Sequence, residues 1–196
     1  MSALSKIPNI LSHLSDQLFR AWSAFLVAKH IDPILEDSHI TSIRYFLTAA
    51  YVSCFESAIL ALSKLTIPHG ESMNIEYLLN CCEQSPEVFA NVDKDEILRS
   101  VRAHRQQFEK VKPLIEHVKT WRNKAIAHLD RQYVNDPTSI SSIPPIDMAQ
   151  VEEVFILLEK IINAYRGYLN ASELRLSDYK ARMAEDWEHL IGAVRQ

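Results

Sequence analysis

Residues 120–130, TWRNKAIAHLD, place an arginine and a histidine six positions apart, with further polar side chains beside the arginine. A guanidinium can bind two phosphate oxygens at once, and an imidazole can give or take a proton near neutral pH. Asn123 adds an amide with two donors and an acceptor, and Lys124 adds a second cation. We therefore take Arg122, His128, Asn123 and Lys124 as the candidate site.

Arg122 also interrupts a regular pattern on one face of a predicted helix. The preceding positions of that face follow each other in steps of three and four residues: Val101, His104, Phe108, Val111, Ile115 and Val118. Arg122 takes the next position, and Ala125 and Leu129 continue the pattern. Because a guanidinium is always charged and is seldom buried without a partner, the pattern predicts that a specific group meets Arg122.

Several accounts without a functional site remain open. Arg122 could pair with Glu56, which stands between apolar residues of an upstream helix, or Asp130 could hold one of the cations. His128 could simply favour the dipole at a helix C-terminus. On an ideal helix positions 122 and 128 are about 120° apart. The long side chain of Arg122 can span part of that gap, and a last turn tightened toward three residues per turn would align positions 122, 125 and 128 on one edge.

The composition argues against several classes of protein. Three isolated glycines in 196 residues leave no glycine-rich phosphate loop or dinucleotide motif, which argues against kinases, NTPases and nicotinamide enzymes. Three cysteines without metal-ligand spacing predict neither a disulfide framework nor a zinc site, so we expect no metal and no cofactor. We find no signal-peptide pattern and no uninterrupted apolar run of ~20 residues, so we expect a cytoplasmic protein without a membrane partner.

Apolar residues recur at helical spacing along nearly the whole chain, which predicts an all-α fold in a single domain, residues 1–196. The expected helices cover residues 9–30, 38–65, 74–84, 93 to about 129, a segment from 147 to about 169, and 173–194. The second of these is apolar on more than one side and should be central.

Helix-capping, helix-breaking and turn-forming residues refine this assignment. Ser72, Asp93 and Asp147 are expected helix caps. Pro113 predicts a kink or a break near residues 109–112. The turn-rich sequence RQYVNDPTSISSIPPI predicts a loop at residues 131–146.

Charge is distributed unevenly. The net charge of −4 argues against a general nucleic-acid coat protein, yet residues 99–124 contain eight basic and two acidic residues. This segment could form a local phosphate-binding surface. Alternatively, alternating charges such as Arg105, Glu109 and Lys112 form an ordinary solvent-exposed face with weak ion pairs.

The segment WRNKAIAHLD resembles the motif of the HEPN superfamily, in which an arginine and an adjacent polar residue precede a histidine near a helix end. The flanking pattern RNK-x-x-AH-x-D resembles in particular the abortive-infection U-type subgroup. The upstream segments CFESAILALSKL (54–65) and GESMNIEYLL (70–79) are similar to the same subgroup in order and spacing. The resemblance covers about residues 40–170.

This resemblance implies a HEPN-like helical bundle with a long motif-bearing helix, followed here by a C-terminal helical arm at 173–196. It further implies a homodimer in which two copies of the motif face each other across a cleft, which would explain Arg122 on an apolar stripe. For many members it implies a metal-independent endoribonuclease of a toxin–antitoxin or phage-defence (abortive infection) system. Arg122 and His128 would then be catalytic, and Asn123 and Lys124 would position the RNA substrate.

Some toxin members are silenced through a tyrosine two residues after the histidine. The chain departs from their pattern, because Asp130 occupies that position. The alternative function is a non-catalytic dimeric HEPN interaction module that binds RNA or a protein partner such as an antitoxin. The net charge of −4 favours a protein partner. A third interpretation is a purely structural bundle in which Arg122 pairs with Glu56.

Overall fold

The computed structural model describes residues 3–37, 41, 43–68, 72–123 and 144–194. These residues form six α-helices and one short 3₁₀ helix, and none of them forms a β-strand, so the predicted all-α fold is confirmed. The helices are α1 (Ala3–Leu35), α2 (Arg44–Thr66), α3 (Ile75–Gln84), α4 (Lys94–Trp121), α5 (Met148–Tyr168) and α6 (Leu176–Val194), with the 3₁₀ helix at Pro86–Val88.

Helix α1 lies at the centre of the bundle and contacts α2, α3, α5 and α6. Its Trp22 and Phe25 are fully buried, and their ring centroids lie 5.4 Å and 5.2 Å from that of Phe155 on α5. Aromatic pairs in this geometry add to the stabilisation that comes from burial alone. The Trp22 indole Nε1 also donates to the Leu176 carbonyl oxygen at 3.2 Å, which fixes the start of α6 against α1.

The stripe predicted on α4 is confirmed and faces the interior of the chain. Val101, His104, Ile115 and Val118 are buried, while Phe108 and Val111 pack against the same core. The sequence predicts a kink or a break near residues 109–112. The helix does not break there, since α4 continues through Pro113. Pro113 is exposed, so the carbonyl that loses its helical partner there can reach water.

Two of the three predicted caps are confirmed. The carboxylates of Asp93 and Asp147 accept hydrogen bonds from the backbone N–H of Asp95 (2.9 Å) and Ala149 (2.8 Å). The prediction for Ser72 is wrong, because Asn74 directly precedes α3 and its Oδ1 accepts the Tyr77 N–H at 2.9 Å. Most of the loop expected at 131–146 lies outside the described residues.

Helix α2 is buried along only part of its length. Ala58, Ile59, Leu62 and Leu65 in its C-terminal half belong to the core. In its first half Leu47 is buried against Ile31 of α1, whereas Tyr45 and Phe46 are 91% and 72% exposed and Val52 is 43% exposed. This half therefore packs on one side only.

By length and composition α2 could also cross a membrane, and it is the one helix of the described residues with this property. Polar residues interrupt its apolar sequence, so α2 is not an uninterrupted apolar run. Core helices of folded bundles have the same composition, and the C-terminal half of α2 is occupied by contacts with the rest of the chain.

Candidate functional site

Arg122 and Asn123 directly follow the last residue of α4, Trp121, and lie in a wider, π-type turn. Trp121 holds this end of the helix in place. Its ring meets Phe55 of α2 edge-on at a centroid distance of 6.1 Å, and its Nε1 donates to the Pro144 carbonyl oxygen at 2.8 Å. The backbone N–H of Arg122 donates to the carbonyl oxygens of Val118 and Lys119. Whether the last turn tightens between residues 122 and 128, as the alignment of Arg122 with His128 would need, lies outside the described residues.

The group that meets Arg122 is a serine on α2. Nη1 of Arg122 donates to Oγ of Ser63 at 2.9 Å, and Ser63 is fully buried. Nε and Nη2 donate to Oδ1 of Asn123 at 2.9 Å and 2.7 Å. The guanidinium is thus fixed on two sides by uncharged oxygens, which leaves its positive charge available.

The structure does not support the predicted alternative in which Arg122 pairs with Glu56. Among the described residues, no carboxylate forms an ion pair or a hydrogen bond with Arg122. Glu56 lies two helical turns before Ser63 on α2, a rise of roughly 10 Å. Ser63, and not the carboxylate of Glu56, is therefore the α2 group that contacts Arg122.

The other candidate residues of the motif are not all described. The structure brings Arg122 and Asn123 together, as expected for a motif unit. His128, Lys124 and Asp130 lie outside the described residues. The apolar stripe that leads to Arg122 packs against the core of its own chain. A stripe without a packing partner therefore does not explain the presence of the arginine.

Arg122 lines an open cavity of about 460 Å³. Four parts of the chain supply its described wall: α1, the end of α2, the segment before α3, and the residue that follows α4. The lining residues are His13, Gln17, Leu60, Ser63, Lys64, Leu65, Ile67, Ser72, Met73 and Arg122.

The described wall of this cavity has one sign of charge. Lys64 and Arg122 are cationic, His13 is titratable, and no aspartate or glutamate is among the described lining residues. Leucine, isoleucine and methionine side chains form the apolar remainder. A cavity with fixed cationic donors on one side and apolar side chains on the other suits an anion that carries an apolar part.

Sequence reasoning missed His13, Gln17 and Lys64. His13 and Gln17 are four residues apart, so they share one face of α1, but only the packing of α1 on α2 brings that face to Arg122. Their spacing was the one signal available in the sequence, and it is common on solvent-exposed helices. No group of three or more histidine, cysteine or acidic side chains within the described ranges is placed to hold a metal ion.

A comparison with protein families gives a match to the HEPN family described as AbiU2, over residues 4–190. The chain belongs to the HEPN AbiU2 family. The resemblance of WRNKAIAHLD to the abortive-infection U-type subgroup of HEPN proteins is therefore confirmed. The match is wider than the resemblance noted over residues 40–170, since it begins in α1 and ends in α6 and so includes the helix that carries His13. Neither a curated protein nor a solved structure matches the chain.

Proposed function

We propose that this HEPN AbiU2 protein is a metal-independent endoribonuclease of an abortive-infection or toxin–antitoxin system, acting on RNA in the cytoplasm. The observation that carries the proposal is the environment of Arg122. Its guanidinium is held by Ser63 and Asn123 at the wall of a cavity whose described residues include cations and no carboxylate. An arginine fixed in this way can receive a phosphate without first losing an ion pair.

Arg122 retains donors for this purpose. A guanidinium has five N–H groups, and the described contacts use one on each of its three nitrogens. One N–H therefore remains on Nη1 and one on Nη2, and together they can contact the non-bridging oxygens of a phosphate. Charge that develops on those oxygens in the transition state is stabilised by such preorganised donors.

The proposed reaction uses the nucleophile that RNA itself carries. The 2′-hydroxyl oxygen attacks the adjacent phosphorus, the bond from phosphorus to the 5′-oxygen breaks, and the products are a 2′,3′-cyclic phosphate and a 5′-hydroxyl. One proton leaves the 2′-hydroxyl and one is delivered to the 5′-oxygen, so the reaction consumes no net proton. His128 is the motif residue proposed for one of these transfers.

Asn123 has a positioning role in this proposal. Because its Oδ1 already accepts two N–H groups from Arg122, its amide orients the guanidinium and does not depend on RNA to do so. Lys124 is proposed to add a second cation for the RNA backbone. Both assignments rest on the family motif together with the contact between Arg122 and Asn123.

We propose α2 as the interface of the homodimer, and the packing of the α4 stripe within its own chain supports this choice. Exposed residues follow each other at steps of three and four along α2 and lead toward the cavity: Phe46, Ala49, Ser53 and Ser57. The next position, Leu60, lines the cavity itself. A second copy bound to this exposed face would border the cavity of Arg122, and a two-fold contact is the commonest way for identical surfaces to pair.

The same face supports the alternative function. Tyr45 and Phe46 are large, apolar and exposed, and residues of this kind on a chain with net charge −4 suit a protein partner such as an antitoxin. In that case the protein is a dimeric interaction module without catalysis. The two proposals differ in one measurable property, the cleavage of RNA.

Cleavage of a single-stranded RNA by the purified chain in EDTA tests the proposal. We expect products with 2′,3′-cyclic phosphate ends, no cleavage of DNA of the same sequence, and loss of activity in Arg122→Ala. Lys119→Ala is the matched control, because Lys119 is a cation of the same helix that pairs with Glu116 at 3.0 Å outside the cavity. If wild type and Arg122→Ala cleave RNA equally, the activity belongs to a contaminant and the interaction module is the better description.

A further inference from the structure

Helix α4 carries two rows of basic residues that differ in their ion pairs. In the first row each cation has a carboxylate oxygen within 3.2 Å, and the pairs are Arg105 with Glu76 and Glu83 of α3, Lys112 with Glu109, and Lys119 with Glu116. These contacts are those of an ordinary solvent-exposed face. They leave this row with little charge for an external anion.

The second row consists of Arg99, Arg102 and Lys110. All three residues are exposed, and none of them forms an ion pair or a hydrogen bond with another residue that the structure describes. On an ideal helix they lie within about 80° of one another, with the neutral Gln106 between them. No described carboxylate therefore neutralises these three charges.

This second row lies on the side of α4 that faces away from the core. Its residues are about 120° to 160° from Arg122 around the axis of an ideal helix, and none of them lines the cavity beside Arg122. Val101 and His104, which neighbour the row in sequence, point to the other side and are buried. The row is therefore a surface of its own and not a part of the candidate site.

A contact with the segment before α5 limits the row at its C-terminal end. His117 has the same direction as Arg99 around the helix, but its Nε2 donates to the Pro144 carbonyl oxygen at 2.9 Å. Trp121 donates to the same oxygen at 2.8 Å, so Pro144 covers α4 there. The part of the row that no described segment covers runs from Arg99 to Lys110, a rise of roughly 16 Å.

Three further charges border the row. Glu153 of α5 lines an open cavity together with Lys110, although the two side chains form no ion pair. Lys160 follows Glu153 after two turns on the same face of α5 and is exposed. Asp95 lies one turn before Arg99 and is also exposed. One cation and two carboxylates offset only part of the three charges of the row, so this surface is positive on a chain with net charge −4.

We infer that Arg99, Arg102 and Lys110 form a docking surface for the phosphate backbone of a long RNA, separate from the cavity that contains Arg122. The inference rests on the proposed function, which supplies RNA as the polyanion. Affinity for a nucleic acid that does not depend on sequence comes mainly from cations that contact phosphates. A negatively charged chain needs a local surface of unpaired cations for this purpose. The surface would hold a part of the RNA that lies away from the cleaved bond.

The first test measures binding with two matched double variants of the full chain. Arg102→Gln/Lys110→Gln removes two unpaired cations, and Lys112→Gln/Lys119→Gln removes two cations of the same helix that are paired with glutamates. Both are made together with Arg122→Ala, so that the cavity does not contribute to the difference. For a long single-stranded RNA, the first variant should reduce the magnitude of the slope of log K against log salt by about 1.4, since each phosphate contact contributes ~0.7. The second variant should reduce it less.

The second test measures cleavage with Arg122 present. Arg102→Gln/Lys110→Gln should raise KM for the long RNA and leave kcat unchanged, because the docking surface acts on binding and not on the reacting phosphate. A dinucleotide substrate is too short to reach the surface from the cavity, so its cleavage should equal that of wild type.

The outcomes separate this inference from the proposed function. Equal slopes for the two double variants overturn the docking surface, and so does a loss of dinucleotide cleavage in Arg102→Gln/Lys110→Gln, since that loss describes an effect on the fold or on the site. In both cases an active wild type leaves the ribonuclease intact. A wild type that cleaves neither substrate overturns the proposed ribonuclease, while the expected difference in slope still establishes the surface.

Discussion

Arg122 at the end of α4 donates through Nη1 to the buried Ser63 hydroxyl of α2, with 2.9 Å between the two atoms. This contact links the sequence motif to the cavity, because Ser63 itself lines the cavity wall. It also explains why a charged residue occupies a position of the apolar stripe on α4. A serine that is buried on an apolar helix offers its oxygen where the stripe meets α2.

Replacement of Ser63 by alanine should lower the free energy of unfolding by about 1 kcal/mol, the usual net value of one hydrogen bond. The loss stays small because Arg122 is only partly buried and its freed N–H can turn to water. RNA cleavage should fall more than stability does, since the guanidinium loses one of its two anchors. Urea denaturation and kcat/KM measure the two effects, and Ser177→Ala, an exposed serine on α6 outside the cavity, is the control.

A double-mutant cycle between Arg122 and Glu56 should give a coupling energy near zero. A buried ion pair that loses one partner costs ~3–5 kcal/mol, because the other charge remains buried. The structure shows Arg122 bonded to neutral oxygens instead, so Arg122→Ala should change the free energy of unfolding by about 1 kcal/mol. Chemical denaturation of Arg122→Ala, Glu56→Gln and the double variant measures the coupling. A large coupling would restore the structural interpretation of the arginine.

Local patterns predicted the fold class, the α4 stripe and two caps, because each depends on residues within a few positions of one another. Asp93 and Asp147 act on the turns that follow them, and the stripe repeats within a single helix. The partner of Arg122 was not predictable in this way. Ser63 lies 59 residues earlier in the chain and is recognised only when α2 and α4 are in contact.

His13 and the exposed start of α2 were missed for related reasons. The position of His13 depends on how α1 packs against α2, which the helical period of either sequence does not determine. Helix α2 is apolar on more than one side, and this composition predicted a central helix. The first half of the helix packs on one side only, through Leu47, so Tyr45 and Phe46 remain exposed for a reason that lies in tertiary structure.

Substitution of Val52 by glutamate should separate the proposed dimer into monomers. Val52 is 43% exposed on α2 and lies about one turn after Ala49 of the proposed interface, so a carboxylate there reaches water in the monomer but would be buried between two copies. Light scattering should give twice the 22.5 kDa chain mass for wild type at tens of micromolar and the single mass for Val52→Glu. Ile156→Glu on α5, which is also an exposed apolar position, should remain dimeric. A monomeric wild type would contradict the proposal.

Stability should decrease as the pH falls below about 6.5, and His104 should contribute to this change. Burial is the main cause that lowers the pKa of His104 in the folded chain, and Lys160 acts in the same direction. The unfolded chain therefore binds the proton at a higher pH than the folded chain does. This contribution is fully present above the unfolded pKa and is lost as the pH falls from there toward the lower folded pKa.

The variant His104→Gln tests this assignment, since glutamine stays neutral and can still hydrogen-bond the Tyr165 hydroxyl, which lies 3.1 Å from the histidine Nδ1. Urea midpoints between pH 5 and 7.5 should vary less in this variant than in wild type. His30, whose pKa burial also lowers, should account for part of the remaining slope. The exposed His189→Gln should reproduce the wild-type slope, and a variant slope equal to wild type would remove His104 from the account.

The contact between Asn123 and Arg122 leads to a prediction that separates the placement of the guanidinium from its positive charge. Asn123→Asp keeps an oxygen that can accept from Nε and Nη2, so the guanidinium stays in place, but the new carboxylate neutralises it. Asn123→Ala removes the oxygen and leaves the charge free. If the role of Arg122 is to bind a phosphate, the aspartate variant should bind RNA more weakly than the alanine variant.

The measurement is the affinity for a single-stranded oligonucleotide that lacks the 2′-hydroxyl at the cleavage position, at several salt concentrations. Neutralising one phosphate contact should reduce the magnitude of the slope of log K against log salt by about 0.7. Ser177→Asp makes the same change of charge on an exposed position of α6 away from the cavity and should have the smaller effect. Equal affinities for the aspartate and alanine variants would mean that Arg122 does not meet the phosphate. The arginine would then serve to hold the end of α4 against Ser63.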